Sequence, residues 1–462
     1  MTKQPVLPGD FLESADPTLR QRSFGHIPVF WAWLAQILEA NASCQRAVGF
    51  IQSWCRTCGL SVPSSDTSSY CKARLRVDIR FLHAIHRRIR DHLGARISGA
   101  DRWQGFNLVA MDGSSVQLRD TAANQRAYPQ PSGQKPGCGF PTMGIVGLVN
   151  LCHGGWEQVV ACPHTRHDSR AAGGLIAHLH AGDLLLADRA FCSYELIARC
   201  QGRGAHALMR LHQARAKSLD WREGKRISAY ERIVTWTRPQ RPPGSGLSPA
   251  EWEALPASME LRLIKVRYEN RAGEKGELIV VTTLTDPSRH CGMELADLYA
   301  RRWDIELKLR DLKTTMGMER FDVNTPEMAQ KTLLMGVIAF NLIRSVMQRA
   351  ADRAGEPTRH MSFKGDAGSG GGQPRELPGA RGPSAQTGGG DGCPGGNLRD
   401  EEDLHPPLQE RTEGGETEAQ TLSVPNPPPL RIRGNPPPQS IQKTGLIPCH
   451  SSQTSMIDVL IF

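Results

Sequence analysis

The sequence predicts an α/β fold, a mixed sheet with flanking helices that follows an all-α N-terminal domain and carries a β-rich insertion. Apolar residues recur at helical spacing from Phe30 to about Leu93. Strands and helices then alternate from Phe106 to about Leu211, as in an α/β core. Short alternating runs follow up to Leu284, and two long helical stretches come after them.

These changes of pattern divide the chain into four parts. We assign residues 1–29 to an N-terminal arm, 30–100 to a helical DNA-binding domain, 101–352 to the α/β domain with its insertion at about 213–290, and 353–462 to a disordered tail. Gly and Pro make up roughly three in ten residues of the tail, and apolar periodicity is absent there.

The composition gives a weak indication of the partner. Lys and Arg outnumber Asp and Glu by 56 to 47, which favours nucleic acid, although a solvated basic surface explains the excess equally well. No apolar run approaches the roughly 18 residues of a membrane span, and the start of the chain lacks a secretory signal pattern. We therefore expect a cytoplasmic protein without membrane contact, whose 12 scattered cysteines stay reduced.

One cysteine cluster raises the alternative of a structural zinc-bearing DNA-binding module. Cys55 and Cys58 form a C-x-x-C, and Cys71, His83 and His86 follow at distances that zinc tolerates. The histidines lie in a helical basic stretch rather than in a Gly-rich knuckle, which makes zinc the weaker hypothesis.

The same basic stretch is a candidate phosphate-binding face. A solvated basic face is an equally good interpretation. The arginines concerned are Arg74, Arg76, Arg80, Arg87, Arg88 and Arg90.

Two aspartates are expected at strand ends. FNLVAMDG is an apolar run that ends at Asp112, and DLLLADRAF places Asp188 directly after another buried strand. In one mixed sheet both carboxylates would face the same crevice. Aspartate is also a common turn former, so either residue alone indicates little.

A third acidic residue lies on a helix predicted from Met293 to about Met318. Tyr299, Arg302, Glu306 and Lys313 share one face of it, although a salt-bridged solvated helix would show the same spacing. An apolar stripe lies beside them, formed by Leu298, Ile305, Leu309, Leu312 and Met316, and Trp303 borders the polar face. A further helix is expected from Pro326 to about Ala351.

Converging carboxylates fit hard divalent cations. Mg²⁺ and Mn²⁺ prefer oxygen ligands and keep room for water and phosphate. A pair of such ions can activate an attacking oxygen and stabilise a leaving one at phosphorus. The chemistry indicated is phosphoryl transfer on nucleic acid.

Together these segments resemble the IS-four family of insertion-sequence transposases, which carry a DDE motif. The resemblance lies in D-G-S-S from Asp112, in D-R-A-F from Asp188, and in Y-x2-R-x3-E-x6-K from Tyr299 to Lys313. It extends over roughly residues 30 to 350 and includes the long insertion and the phrase DTAANQRAYPQPSGQKPGCGFP.

The resemblance implies an RNase H-like core in which Asp112, Asp188 and Glu306 bind two Mg²⁺ or Mn²⁺ ions. It implies a nucleoid-associated bacterial transposase that cleaves terminal inverted repeats of double-stranded DNA through a hairpin and joins the 3′-OH to target DNA. A homodimer is expected if the C-terminal region is functional. Tyr299, Arg302 and Lys313 would by analogy contact phosphates near the cleaved end.

The resemblance also gives two tryptophans a role. Trp303 or Trp236 would stack on an extruded base, although packing is the alternative role for both rings.

The C-terminal part departs from the family pattern. Relatives usually continue in a helical region, whereas low-complexity sequence follows RHMSFKG here. A frameshift in the coding element and a genuine disordered tail both explain this departure. Two hypotheses therefore remain: an active transposase, and a remnant defective in catalysis or assembly that only binds DNA.

Overall fold

The computed structural model describes residues 6–16, 23–39, 42–135, 137–164, 168–243, 245–269 and 275–356, with residues 358, 361 and 363. The predicted tail lies almost entirely outside the described residues. Within them, one mixed ten-stranded sheet carries helices on its faces, which confirms the predicted α/β class.

Among the described residues, five α-helices precede the sheet, and polar caps fix where three of them begin. The side chains of Ser43, Asp66 and Asp78 accept hydrogen bonds from first-turn amides of the third, fourth and fifth helices. The helices are α1 (Gly9–Ala15), α2 (His26–Leu38), α3 (Cys44–Thr57), α4 (Thr67–Arg76) and α5 (Ile79–Gly94).

The segment predicted to be an arm is part of this helical layer where it is described. Helix α2 begins at His26 and so crosses the expected boundary at residue 30. Val6, Leu7 and Leu12 are buried in the same apolar core as α5. The sequence prediction missed this because α1 spans only seven residues, too few for a clear helical period.

The remaining elements follow in chain order. The strands are β1 (Asn107–Leu118), β2 (Thr142–Asn150), β3 (Trp156–Pro163), β4 (Asp183–Ala187), β5 (His206–Arg210), β6 (Lys225–Arg226), β7 (Glu231–Thr237), β8 (Ser258–Glu269), β9 (Lys275–Thr282) and β10 (Arg320–Phe321). The helices are α6 (Ala122–Ala127), α7 (Asp168–Leu175), α8 (Tyr194–Gly202), α9 (Gln213–Ser218), α10 (Pro249–Glu253), α11 (Gly292–Ala300), α12 (Asp304–Arg310) and α13 (Pro326–Ala354).

The sheet has the order β3-β2-β1-β4-β5-β9-β8-β7-β6, and β10 pairs with β1. Strands β1 to β3 are antiparallel neighbours, as predicted, whereas β4 runs parallel to both β1 and β5. Three antiparallel strands followed by two parallel ones form the RNase H-like sheet that the resemblance implied. The insertion strands continue this same sheet, because β9 pairs with β5.

Strand β1 runs past Asp112, where the sequence predicted its end. Asp112 pairs with Gly147 of β2, and the pairing continues without a break to Gln117 and Thr142. The backbone groups after Asp112 are thus satisfied by the ladder, and this long-range pairing overrides the local preference of Asp-Gly for a turn. Asp112 therefore lies in the middle of a strand.

Helix α13 is the central support of one face of the sheet. Thr325 caps its start with Pro326 in the first turn, and Gly355 ends it in the left-handed conformation at φ 70°. By length and composition it is the one helix of the described residues that could cross a membrane, but most of that apolar window is buried inside the protein. It packs against α5 and α2.

The helix predicted from Met293 to Met318 departs from α-helical winding at two places. Helix α11 passes into a tight 3-10 turn at Arg301–Trp303, and α12 passes into a wider π turn at Asp311–Thr315. The path remains helical from Gly292 to Thr315, so the predicted polar face persists along it.

A methyl group at Gly147 should disturb the core beside Asp112. A Cβ there would overlap the ring of Trp156, which is fully buried, so we expect Gly147→Ala to destabilise the protein by about 1–3 kcal/mol. Urea denaturation measures this loss. Gly174→Ala is the matched control, because open space surrounds that helical glycine and its stability should stay equal or rise slightly.

A second prediction concerns His86, which is buried and lies with Nε2 3.2 Å from the Trp156 carbonyl oxygen. Burial lowers its pKa from 6.5 to about 4, so the unfolded chain binds the proton more readily than the folded one. Stability should therefore fall as the pH drops from 6.5 towards 4. Urea titrations across this range should show a smaller loss in His86→Gln, and an unchanged loss would contradict the assignment.

Candidate active site

The pairing of β1 with β4 brings the two aspartates together. Met111 lies in register with Ala187, so the next residues, Asp112 and Asp188, emerge side by side. Because β4 ends at Ala187 while β1 continues, we infer a crevice beside Asp112. The position predicted for Asp188, directly after a buried strand, is confirmed.

The helical segment from α11 to the π turn closes this crevice with the four predicted polar residues. The Tyr299 hydroxyl donates to Asp188 Oδ1 at 3.4 Å. Arg302 Nη1 lies 3.4 Å from Asp112 Oδ2 and 3.3 Å from Glu306 Oε1. Lys313 Nζ donates to the Ser114 hydroxyl at 3.3 Å. The structure thus brings together all three candidate acids and three candidate DNA-contacting residues.

Burial and mutual repulsion set the electrostatics of the acids. Burial raises the pKa of Asp112 to about 6; the charges of Glu306 and Asp188 add to this, and Arg302 and the Gly113 amide oppose it. Burial also raises the pKa of Glu306. Burial lowers the pKa of Arg302, but Tyr299 and the three acids together outweigh it and raise this pKa above its ordinary value. The site is therefore a set of acids held around one guanidinium.

The donor set fits a hard divalent cation in chemistry. Asp112, Asp188 and Glu306 offer only carboxylate oxygens, which Mg²⁺ and Mn²⁺ prefer. No three His, Cys, Asp or Glu side chains in the described parts of the chain form a ready metal-binding group, and here the Arg302 guanidinium lies between Asp112 and Glu306. An ion that used both of these acids would require Arg302 to move.

The two candidate stacking tryptophans lie in different places. Trp303 is at the site, and the Arg302 guanidinium lies 4.3 Å from its ring centroid. Trp236 lies on β7, four strands away from β4 in the sheet, and its ring faces Arg215 at 4.4 Å. Only the first ring neighbours the acids.

The candidate zinc ligands do not converge. Cys71 Sγ lies 3.7 Å from Cys44 Sγ, Cys55 is buried and Cys58 is exposed. His86 faces a carbonyl oxygen instead. Among the residues described, these side chains form no zinc site.

The candidate phosphate-binding arginines of the helical layer are divided in the structure. Arg74 stacks on Trp33 and Tyr70, and Arg90 pairs with Asp91. These two arginines are therefore already engaged by contacts within the protein. The remaining arginines are exposed, and they are Arg76, Arg80, Arg87 and Arg88.

One residue of the site was missed by the sequence reasoning. Ser114 belongs to the D-G-S-S segment but had no assigned role, and it contacts Lys313. For Arg302 the sequence left a phosphate contact and a salt-bridged helix open, and the structure shows an ion pair with Glu306 four residues along the helix. That i, i+4 spacing is typical of helical ion pairs and was the available signal.

Comparisons with known proteins bear on this site. The family described as "Transposase DDE domain" matches residues 103–342, more than half of the chain, and the matched range includes Asp112, Asp188 and Glu306. The "Transposase InsG for insertion sequence element IS4" of Escherichia coli (strain K12) is 26% identical over 253 residues. This match covers 54% of each protein, so the chain spans about half the length of this curated relative.

A solved structure was also found. It is that of the piggyBac transposase in a synaptic complex with hairpin DNA. The two chains are 10% identical in sequence and superpose with a TM-score of 0.40, over 78% of this chain and 73% of that chain.

Proposed function

The chain belongs to the transposase DDE domain family, and on this premise we propose that it cuts insertion-sequence ends and joins them to target DNA. The reaction is divalent-metal-dependent phosphoryl transfer. The observation that carries the proposal is the convergence of two acids from neighbouring strands and one from a helix, Asp112, Asp188 and Glu306, at a single crevice.

The three acids would hold two Mg²⁺ or Mn²⁺ ions. When bound, such ions activate an attacking oxygen and stabilise the leaving oxygen at phosphorus. The crevice walls favour this use, because they come from packed strands and from a helix whose apolar flank, with Ile305 and Leu309, is buried in the core.

The basic residues around the acids bind the DNA backbone in this proposal. Arg302 presents a planar fork that suits phosphate oxygens, and Lys313 supplies a half-buried ammonium group beside Ser114. Tyr299 positions Asp188 through its hydroxyl. Trp303 offers a ring face on which an extruded base could stack once Arg302 engages DNA.

The partners follow from the same proposal. The substrates are double-stranded terminal inverted repeats and target DNA, and the working unit is a homodimer if the C-terminal region is functional. The place of action is the nucleoid of a bacterial cytoplasm. The similarity to a transposase named for insertion sequence element IS4 supports an insertion-sequence substrate.

Neutralising an acid should abolish cleavage. With terminal-repeat DNA of its own element and Mg²⁺ or Mn²⁺, the full chain should nick at the repeat boundary, and Asp188→Asn or Glu306→Gln should lower the rate at least ~10²-fold. Gel separation of end-labelled strands measures this. Asp304→Asn, on the same helix but paired with Arg301, is the matched control and should retain activity.

If the chain binds repeat DNA but does not nick it with either metal, this result would count against catalytic activity. It would favour the other hypothesis, a remnant that only binds DNA. Cleavage that survives in both acid variants would instead show that the reaction does not use this site.

Removing the Lys313 charge should weaken binding to all duplex sequences alike. Because the ammonium group would contact phosphate rather than a base, Lys313→Ala should lower affinity uniformly and reduce the salt slope of the logarithm of the binding constant by about 1. Fluorescence anisotropy at several salt concentrations measures both quantities. Arg353→Ala, an exposed charge at the end of α13, is the control and should change neither.

A further inference from the structure

The Arg302 guanidinium is enclosed by the acids of the site. Its side chain is 5% exposed, and one nitrogen, Nη1, contacts Asp112 of β1 and Glu306 of α12 together. Nη2 adds a second contact with Glu306 at 3.3 Å. A single cation is therefore already paired with two of the carboxylates proposed to bind metal.

The hydrogen-bond contacts of the guanidinium are long for such a buried group. Its contacts of 3.3 and 3.4 Å are longer than the 2.7–2.9 Å typical of strong charge-assisted hydrogen bonds. Its Nε is buried and has no hydrogen-bond partner among the described residues. The Trp303 ring supports one face of the group without fixing the direction of its N–H bonds. A ligand that offers better acceptors could draw Arg302 away.

A divalent ion and Arg302 compete for the same oxygens. A divalent ion that used Asp112 Oδ2 and Glu306 Oε1 would take the oxygens that now accept from Arg302, and two cations so close repel each other. A DNA phosphate reverses this balance, because it gives the guanidinium a bidentate partner and adds negative charge at the site.

We propose that Arg302 gates the site: it excludes divalent metal from Asp112 and Glu306 until a DNA phosphate engages it. This inference rests on the proposed function and adds a binding order to it. DNA binds first, and metal binds tightly second.

The test measures metal binding rather than cleavage. Free Mn²⁺ is followed by electron paramagnetic resonance as Mn²⁺ alone is titrated into the full chain, then into the chain saturated with a short duplex. We expect Arg302→Gln without DNA to bind Mn²⁺ at least ~10-fold more tightly than the wild type, since the competing charge is gone. Duplex DNA should tighten Mn²⁺ binding by a larger factor in the wild type than in the variant, where only the added phosphate charge acts.

Three further variants make the result specific. Arg301→Gln, in the same 3-10 turn but paired with Asp304, should bind Mn²⁺ like the wild type. Arg302→Lys keeps a charge without the planar fork and should be intermediate; it also serves if Arg302→Gln fails to fold. Asp112→Asn, combined with Arg302→Gln, should remove the gained affinity.

Equal or weaker Mn²⁺ binding in Arg302→Gln, with folding confirmed by circular dichroism, would overturn the gate. The proposed function is tested separately. If Arg302→Gln binds Mn²⁺ tightly but the wild type does not cleave DNA, the gate stands and the proposed transposase activity is overturned. If adding Asp112→Asn to Arg302→Gln leaves the Mn²⁺ affinity unchanged, both the gate and the proposed metal site are overturned.

Discussion

The parallel pairing of β1 with β4 is the constraint on which the candidate site depends. Its register sets Met111 opposite Ala187, and the two aspartates that follow become neighbours although 76 residues separate them in the chain. Strand β1 is also paired with β2 from Val109 to Gln117, so its position does not depend on β4 alone. The antiparallel pairs fix β1, and β4 is then aligned against a rigid strand.

The helical layers support the helix that contributes Glu306 to the site. Helix α13 lies under the sheet, and its Asn341 binds the Trp156 backbone through both amide atoms, at 2.8 and 2.9 Å. His86 of α5 approaches the same carbonyl oxygen. The N-terminal helices, α13 and β3 thus form one packed body, and this body supports the apolar flank of the helix that carries Glu306.

The sequence predicted those parts of the fold and site that depend on local pattern. The buried strand before Asp188, the insertion strands and the shared face of Tyr299, Arg302, Glu306 and Lys313 follow from periodicity, and the structure has them. The continuation of β1 past Asp112 depends on its partner β2, which no local window contains. The position of Arg302 depends on which oxygens converge from the sheet, so the spacing alone left phosphate and carboxylate equally open as its partner.

The far edge of the sheet has a consequence for the protein in solution. A sheet that gains four strands from an insertion also gains a new open edge, and unpaired backbone groups at such an edge can pair with another chain. Here the last strand, β6, is two residues long, and both of them, Lys225 and Arg226, are exposed and positively charged. Two such edges brought together would place like charges opposite each other, which disfavours pairing of the sheet with a second copy at this position.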